Sequence, residues 1–369
     1  MRKRGAAIAL IALVAPLGVT AFASGASAAK LNDKCSKKDL YKVEKVGTSY
    51  IRCMPKNGAS AHSKAAEFAY QKIDEKQFKY SEVKKKASIR VDGSSTVAPL
   101  MTVAAKYFET TTKKKVRVSI GISGTGGGFE KFCKGETDMS NASRQIKSSE
   151  AALCAKNGIT YTEIIVANDG LAVVVNPKNP IKCIKMSELK TMWKPSSGKS
   201  NPGSAKTWGD AIPGNTLGDL KLFGAGSDSG TFDSFNTFVH GDSAISRTDY
   251  QATENDTVTV NGVKRDQKAI GYYGLSYALE NSKDNKAVQL DSGAGCVNPT
   301  VKSVQNKTYP MARELYVYVK NSAAASNPAI KQFMNFYYAN AQAISADALF
   351  VPLTARQVIV GQRALKRIQ

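Results

Sequence analysis

Apolar positions between residues 88 and 338 switch repeatedly between two periods. Ile89 and Val91 end a short strand. Leu100, Val103, Ala104, Tyr107 and Phe108 then recur three and four apart, which marks one face of a helix. Val116, Val118 and Ile120 return to strand alternation, and Phe129 and Phe132 open another helix. Residues 164–166 and 171–175 are unbroken apolar runs, as strands buried on both faces carry. Leu315, Val317 and Val319 give a late strand, and 330–338 a closing helix. Strands alternating with helices predict an α/β fold of mostly parallel sheets flanked by helices.

The start of the chain has a different texture. Arg2, Lys3 and Arg4 precede an apolar stretch over 6–22, and Ala26-Ser27-Ala28 supplies small residues at a cleavage position. Residues 1–28 therefore predict an export signal. No Cys follows the apolar stretch directly, so no lipid-anchor motif is evident, and an exported protein of the extracellular or cell-envelope/periplasmic space is expected. Residues 29–87 form a basic N-terminal extension, with fifteen Lys or Arg against seven Asp or Glu over 30–86. Tyr41, Val43, Val46, Tyr50 and Ile51, bracketed by Cys35 and Cys53, predict a disulfide-closed hairpin and then a linker. A helix is expected over 65–78.

Six cysteines (Cys35, Cys53, Cys133, Cys154, Cys183, Cys296) without a CxxC, and only His62 and His240 as imidazoles, favour disulfides over zinc. Of fifteen full pairings, the local ones are Cys35 with Cys53 and Cys133 with Cys154, which leaves Cys183 with Cys296 by arithmetic alone. No metal or other cofactor is expected. The net charge of +22 raises the question of nucleic acid, but the cations are dispersed and no nucleic-acid motif accompanies them. Lys84-Lys85-Lys86 and Lys113-Lys114-Lys115 read as solvated runs. The positive field concentrates small anions.

Three strand-to-helix turns share glycine and small hydroxyl residues: Gly93-Ser94-Ser95-Thr96, Gly124-Thr125-Gly126-Gly127-Gly128 and Ser227-Asp228-Ser229-Gly230-Thr231. At a helix start the first N–H groups lack partners and the dipole is positive, so an anion is stabilised there. Glycine admits close backbone approach, and Ser or Thr adds a donor. Each turn alone is ordinary helix punctuation. Three in one chain suit a small oxyanion, which needs donors from several elements. GxxxxGK[ST], GxGxxG spacing and GxSxG are absent, so nucleotide binding and hydrolysis are the weaker classes. Arg144 is the candidate cation, its planar fork fitting a tetrahedral oxyanion. The alternative is a surface arginine bridging a nearby glutamate.

The segments DGSSTVAPL (92–100), GISGTGGGFEKFCKGETD (121–138), NASRQIKSSE (141–150), ANDGLAVVVNP (167–177), LFGAGSDSGTFDSF (222–235) and KAIGYYGLSYALEN (268–281) resemble, in order, the phosphate-binding component of high-affinity phosphate ABC transporters. That family belongs to the type II periplasmic binding proteins. The likeness covers residues 88–369 and leaves 30–86 outside. It implies two lobes joined by two hinge crossings, near 165–175 and 310–317. Lobe 1 is expected over 88–167 plus 318–369, and lobe 2 over 168–317. It further implies a non-enzymatic monomer that takes inorganic phosphate between its lobes and presents it to a membrane permease.

Residue by residue, Thr96 and the N–H of Val97 match the family's first phosphate-contacting turn, with Ser95 beside them. Thr125 matches the hydroxyl of the second, and Ser229, Gly230 and Thr231 match the third. Some members have Asp at the position of Arg144 and Arg where this chain has Ala225; others share the Ala-Ser-Arg form. Arg144 is therefore expected to supply the cation from the opposite lobe. Phosphate near neutral pH keeps a proton and sulfate does not, so a carboxylate facing the ion accepts a hydrogen bond from one and repels the other. Asp169 and Asp228 are the available acceptors, ahead of Asp138 and Asp256; for Asp169 the alternative is a turn cap with Gly170. A different oxyanion (sulfate, phosphonate or a phosphorylated compound) and, further off, an exported phosphoesterase are the competing readings.

Overall fold

A computed structural model describes residues 30–36, 43–55, 67–73, 86–227, 229–253 and 255–368. The expected export signal, Lys84, Lys85 and Asp228 lie outside the described residues.

One nine-stranded sheet runs through the molecule. Its strands lie in the order Gln251–Thr253, Lys221–Ala225, Ala269–Gly274, Tyr161–Val175, Ala312–Lys320, Met139–Ala142, Ala87–Gly93 and Val116–Ile120, with Lys286–Ala287 paired to the 161–175 strand. The outer strands pair in parallel on both sides. The two central ones run antiparallel to each other and to their neighbours.

The apolar runs 164–166 and 171–175 belong to a single fifteen-residue strand. Asn168-Asp169-Gly170 reads as a break in the sequence, yet its polar groups are all satisfied in place. Asn168 Nδ2 donates to Pro352 O (3.0 Å) and Gln357 Oε1 (3.1 Å), and Asp169 accepts from Arg313. Buried polar groups with partners need no turn. Asp169 is thus a strand residue and caps nothing.

This strand changes cores partway along. Ile164, Val166 and Ala167 pack with Leu315, Val317, Val319 and the faces of the Ala98–Thr111 and Pro328–Ala339 helices. Residues 171–175 pack with Trp193, Trp208, Phe235 and Tyr272, where Phe235 and Tyr272 stack at 3.6 Å. The chain returns to the first core between Met311 and Leu315. A third contact comes late. Val351 bridges Asn168 and joins the second core, while its neighbours Phe350 and Leu353 pack on the first.

All three disulfides are those expected: Cys35–Cys53, Cys133–Cys154 and Cys183–Cys296. The last, 113 residues apart, closes a small sheet whose Ile184 and Leu290 join the second core. The N-terminal hairpin is also present, Val43–Val46 pairing with Ser49–Pro55. The helix expected over 65–78 is not: Phe68–Ile73 is a third strand, paired to 49–55. A lone two-stranded hairpin is marginal in water, and the third strand brings Tyr70 over Ile51 and Cys53. Local propensity loses to that burial.

The extension is docked on the first core. Arg52 is buried and donates to Asn340 Oδ1, with its guanidinium 6.0 Å from the Phe336 ring centre. Arg52→Leu removes a charge-assisted bond, a loss of about 2 kcal/mol. Limited proteolysis is expected to cut the extension faster in this variant, with ligand affinity unchanged; equal cleavage would show that the docking does not depend on Arg52.

Candidate functional site

The first turn is fixed from beneath. Gly93 has φ +135, and a Cβ there would lie 2.2 Å from Asn141 O. Ser94 N–H donates to Asn141 O (2.9 Å), and Ser94 O accepts from Ala98 N–H (3.0 Å) as the 98–111 helix begins. That helix has no side-chain cap, so the neighbouring hydroxyls are used elsewhere. Ser95 Oγ donates to Asp233 Oδ2 (3.0 Å), and Thr96 Oγ1 donates to Gly230 O (2.9 Å). Both bonds reach from the first core's turn to the Gly230–His240 helix of the second. Val97 packs its side chain in the first core.

The third turn meets the first face to face. Ser229 caps the 230–240 helix by accepting from Thr231 N–H (3.1 Å). A Cβ on Gly230 would come within 2.4 Å of Thr96 N, so only glycine permits this approach. The second turn sits further off. Gly124, at φ +75, opens the Gly124–Cys133 helix, and Thr125 Oγ1 lies 3.0 Å from Ser143 Oγ.

Asp92 ties the first and second turns together and was overlooked in the sequence. It accepts from Gly93 N–H (2.7 Å), Ser123 Oγ (2.7 Å) and Lys131 Nζ (2.6 Å). Burial works to raise its carboxyl, and the bonds from Lys131, Ser123 and Gly93 hold it below the ordinary range.

Arg144 takes the alternative weighed for it: its fork meets Glu150 through two bonds, 2.8 and 2.7 Å. Burial works to raise the Glu150 carboxyl, and Arg144 with the Lys147 N–H brings it down. The cation at the meeting of the first and third turns is instead Arg313, which the sequence reading missed. Its Nε lies 3.2 Å from Asp169 Oδ2, and its Nη2 donates to Thr96 Oγ1 (3.3 Å) and to Ser234 Oγ. Phe238 covers the guanidinium at 5.4 Å. Ser234 and Asp233, on the 230–240 helix, were missed with it. Burial pushes the Asp233 carboxyl up, outweighing the pull of Ser95 and Arg313 the other way.

Two chambers result. The smaller, of about 220 Å³, is lined by Ser95, Thr96, Asp169, Ser229, Gly230 and Thr231, with Ser234 and Asp256. The larger, of about 590 Å³, is lined by Thr125, Ser143, Arg144, Asp233 and Arg313. The bonded pairs Ser95–Asp233, Thr96–Arg313 and Asp169–Arg313 each give one residue to each chamber and so form their shared wall. Thr125 and Arg144 are therefore separated by this wall from the other candidates. Asp138 lies apart, paired with Arg90 at 3.2 Å.

The PBP superfamily domain matches residues 79–341. Protein SphX of Synechococcus elongatus is 40% identical over 273 residues, 73% of this chain and 79% of its own. The phosphate-binding protein PstS of Staphylococcus saprophyticus is 34% identical over 289 residues, 77% of this chain and 86% of its own. A crystal structure described as a possible phosphate-binding protein from Planctomyces limnophilus superposes with a TM-score of 0.71 at 34% identity, covering 77% of this chain and 99% of that one. An ABC-type phosphate transport receptor from Vibrio cholerae shares the fold at 22% identity and a TM-score of 0.58, over 71% of this chain and 99% of that one. The molecule has the two-lobed type II periplasmic-binding-protein fold. The chain belongs to the PBP superfamily and, within it, to the family that holds SphX and PstS.

Proposed function

We propose that this chain is an exported, non-enzymatic solute-binding protein that captures inorganic phosphate between its lobes and presents it, as a monomer, to an ABC-transporter permease. One observation carries the reading. Hydroxyls and helix starts from two separate cores meet at one place, with the buried Arg313–Asp169 pair behind them. A small oxyanion is the ligand class that takes donors from both sides at once. The relatives named for phosphate point to the same ion. Lobe 1 would comprise 88–167 plus 318–369 and lobe 2 168–317; the core change inside the 161–175 strand supports the first boundary, while Leu315 and Val317, which pack in the first core, move the second back to about 312–315, with Val351 as an added hinge contact.

Calorimetry of the purified protein with phosphate, sulfate and phosphonate tests the reading. Tight phosphate binding with weak sulfate binding is expected; an absence of heat with phosphate overturns it. Release of phosphate from a generic ester would instead favour an enzyme. Two variants refine the site. Arg144→Ala, which removes a cation that faces only the larger chamber and is paired with Glu150, is expected to change phosphate affinity by less than about threefold. A tenfold or greater loss would return Arg144 to the site. Asp169→Asn is expected to bring sulfate to within about tenfold of phosphate, since the repulsive acceptor is lost. Full retention of selectivity would refute Asp169 as the acceptor.

A further inference from the structure

The Ala355–Arg367 helix lies on the outside of the first core, far in character from the anion site. Its inner side is pinned. Leu365 is buried, Thr354 and Gln357 cap the start reciprocally, and Gly361 lets Tyr338 lie where a Cβ would be. Its outer side carries Arg356, Ile359, Val360, Arg363, Lys366 and Arg367, all exposed. These positions are three and four apart and share one face.

Three features set this face apart. Ile359 and Val360, adjacent aliphatics, are 49% and 50% exposed. The helix sequence ARQVIVGQRALKR contains no acidic residue. Among the described residues none of its four cations is ion-paired, whereas Lys131, Arg144, Lys206, Arg247 and Arg313 each meet a carboxylate. Beside the face runs a mostly apolar groove of about 600 Å³, lined by Met54, Ala343, Ala346, Leu353, Val358 and Ile359. Ile359 belongs to both.

We propose that this face docks on an anionic phospholipid bilayer. Cations on an amphipathic helix are drawn to the negative surface of such a bilayer, and exposed aliphatics beside them gain by entering its interface. A soluble polyanion satisfies the charges but offers nothing to Ile359, Val360 or the groove. A bilayer offers both. The attachment is peripheral and reversible.

The test sediments the mature protein with vesicles of phosphatidylglycerol mixed into phosphatidylcholine, against phosphatidylcholine alone, at about 0.1 M salt, where the field is short-ranged. Binding to the anionic vesicles is expected to exceed the neutral control by about tenfold. The triple variant R356Q/R363Q/R367Q and the double variant I359S/V360S are each expected to lower it by about fivefold. A control, K113Q/K114Q/K115Q, removes as much charge elsewhere and is expected to change it by less than about twofold. Circular dichroism and a phosphate titration verify that each variant is folded. Equal binding to both vesicle types overturns the proposal. So does a control variant that loses as much as the helix triple, which means diffuse charge. Full competition by soluble polyphosphate with no effect of I359S/V360S likewise overturns it, in favour of a polyanion.

Discussion

Arg313→Leu is expected to lower phosphate affinity by about a hundredfold or more, and to lower stability as well. Arg313 touches the first turn through Thr96, the 230–240 helix through Ser234, and the central strand through Asp169. Its side chain is 16% exposed and that of Asp169 only 7%. Removing one partner of such a pair leaves an uncompensated buried charge, at a cost of about 3–5 kcal/mol. Loss of binding alone could therefore mean loss of fold. The double variant Arg313→Leu/Asp169→Asn separates the two effects: it removes the orphaned charge, so the melting temperature is expected to recover while affinity stays low. Arg313→Lys keeps the charge but not the fork, and an intermediate affinity is expected because bidentate geometry is lost. Calorimetry and thermal melting of the three variants decide the matter. Affinity within threefold of the parent in Arg313→Leu would move the anion site away from this residue.

Arg313 also shows why the sequence discloses some of the site and hides the rest. The three glycine–hydroxyl turns are local features: each strand end, turn and helix start is contiguous, so the turns could be located from composition and spacing, while the choice of Ser95, Thr96 and Ser229–Thr231 within them came from the family resemblance. Arg313 is the second residue of the Ala312–Lys320 strand, just ahead of its apolar stretch 315–319, and its partner Asp169 lies 144 residues earlier. Only the antiparallel register that sets Arg313 opposite Asp169 reveals the pair. One weak signal was present, a lone arginine at the head of an alternating strand. Arg144 shows the converse. Its local sequence allowed either an anion ligand or a glutamate partner, and Glu150, only six residues on, meets it through two bonds. The strand at 68–73 was hidden for a similar reason: its conformation is decided by pairing with 49–55, not by its own residues. The two local disulfides followed from proximity in sequence, and the third from arithmetic, without any physical cue.

Gly230→Ala is expected to lower ligand affinity while the helix holds its stability. Gly230 is the first residue of the 230–240 helix, and nothing in its backbone demands glycine. Alanine is the better helix former, by about 1 kcal/mol in a helix interior and by less at this first position, so the second lobe taken alone is expected to hold its stability. The added methyl, however, would meet Thr96 N at 2.4 Å, Thr96 Cα at 2.5 Å and Ser95 C at 2.7 Å. All three are backbone atoms of the opposing turn, so no side chain can rotate away. The lobes must part by about 1 Å to restore van der Waals distance. That separation stretches the donors of the first turn away from the helix start that faces them. Losing two charge-assisted bonds to the ion costs about 3 kcal/mol, or roughly a hundredfold in affinity. The expected result is an unchanged melting temperature in the absence of phosphate, with calorimetric affinity down by that factor. A variant that binds within threefold of the parent would mean that the two turns do not close on the ligand together.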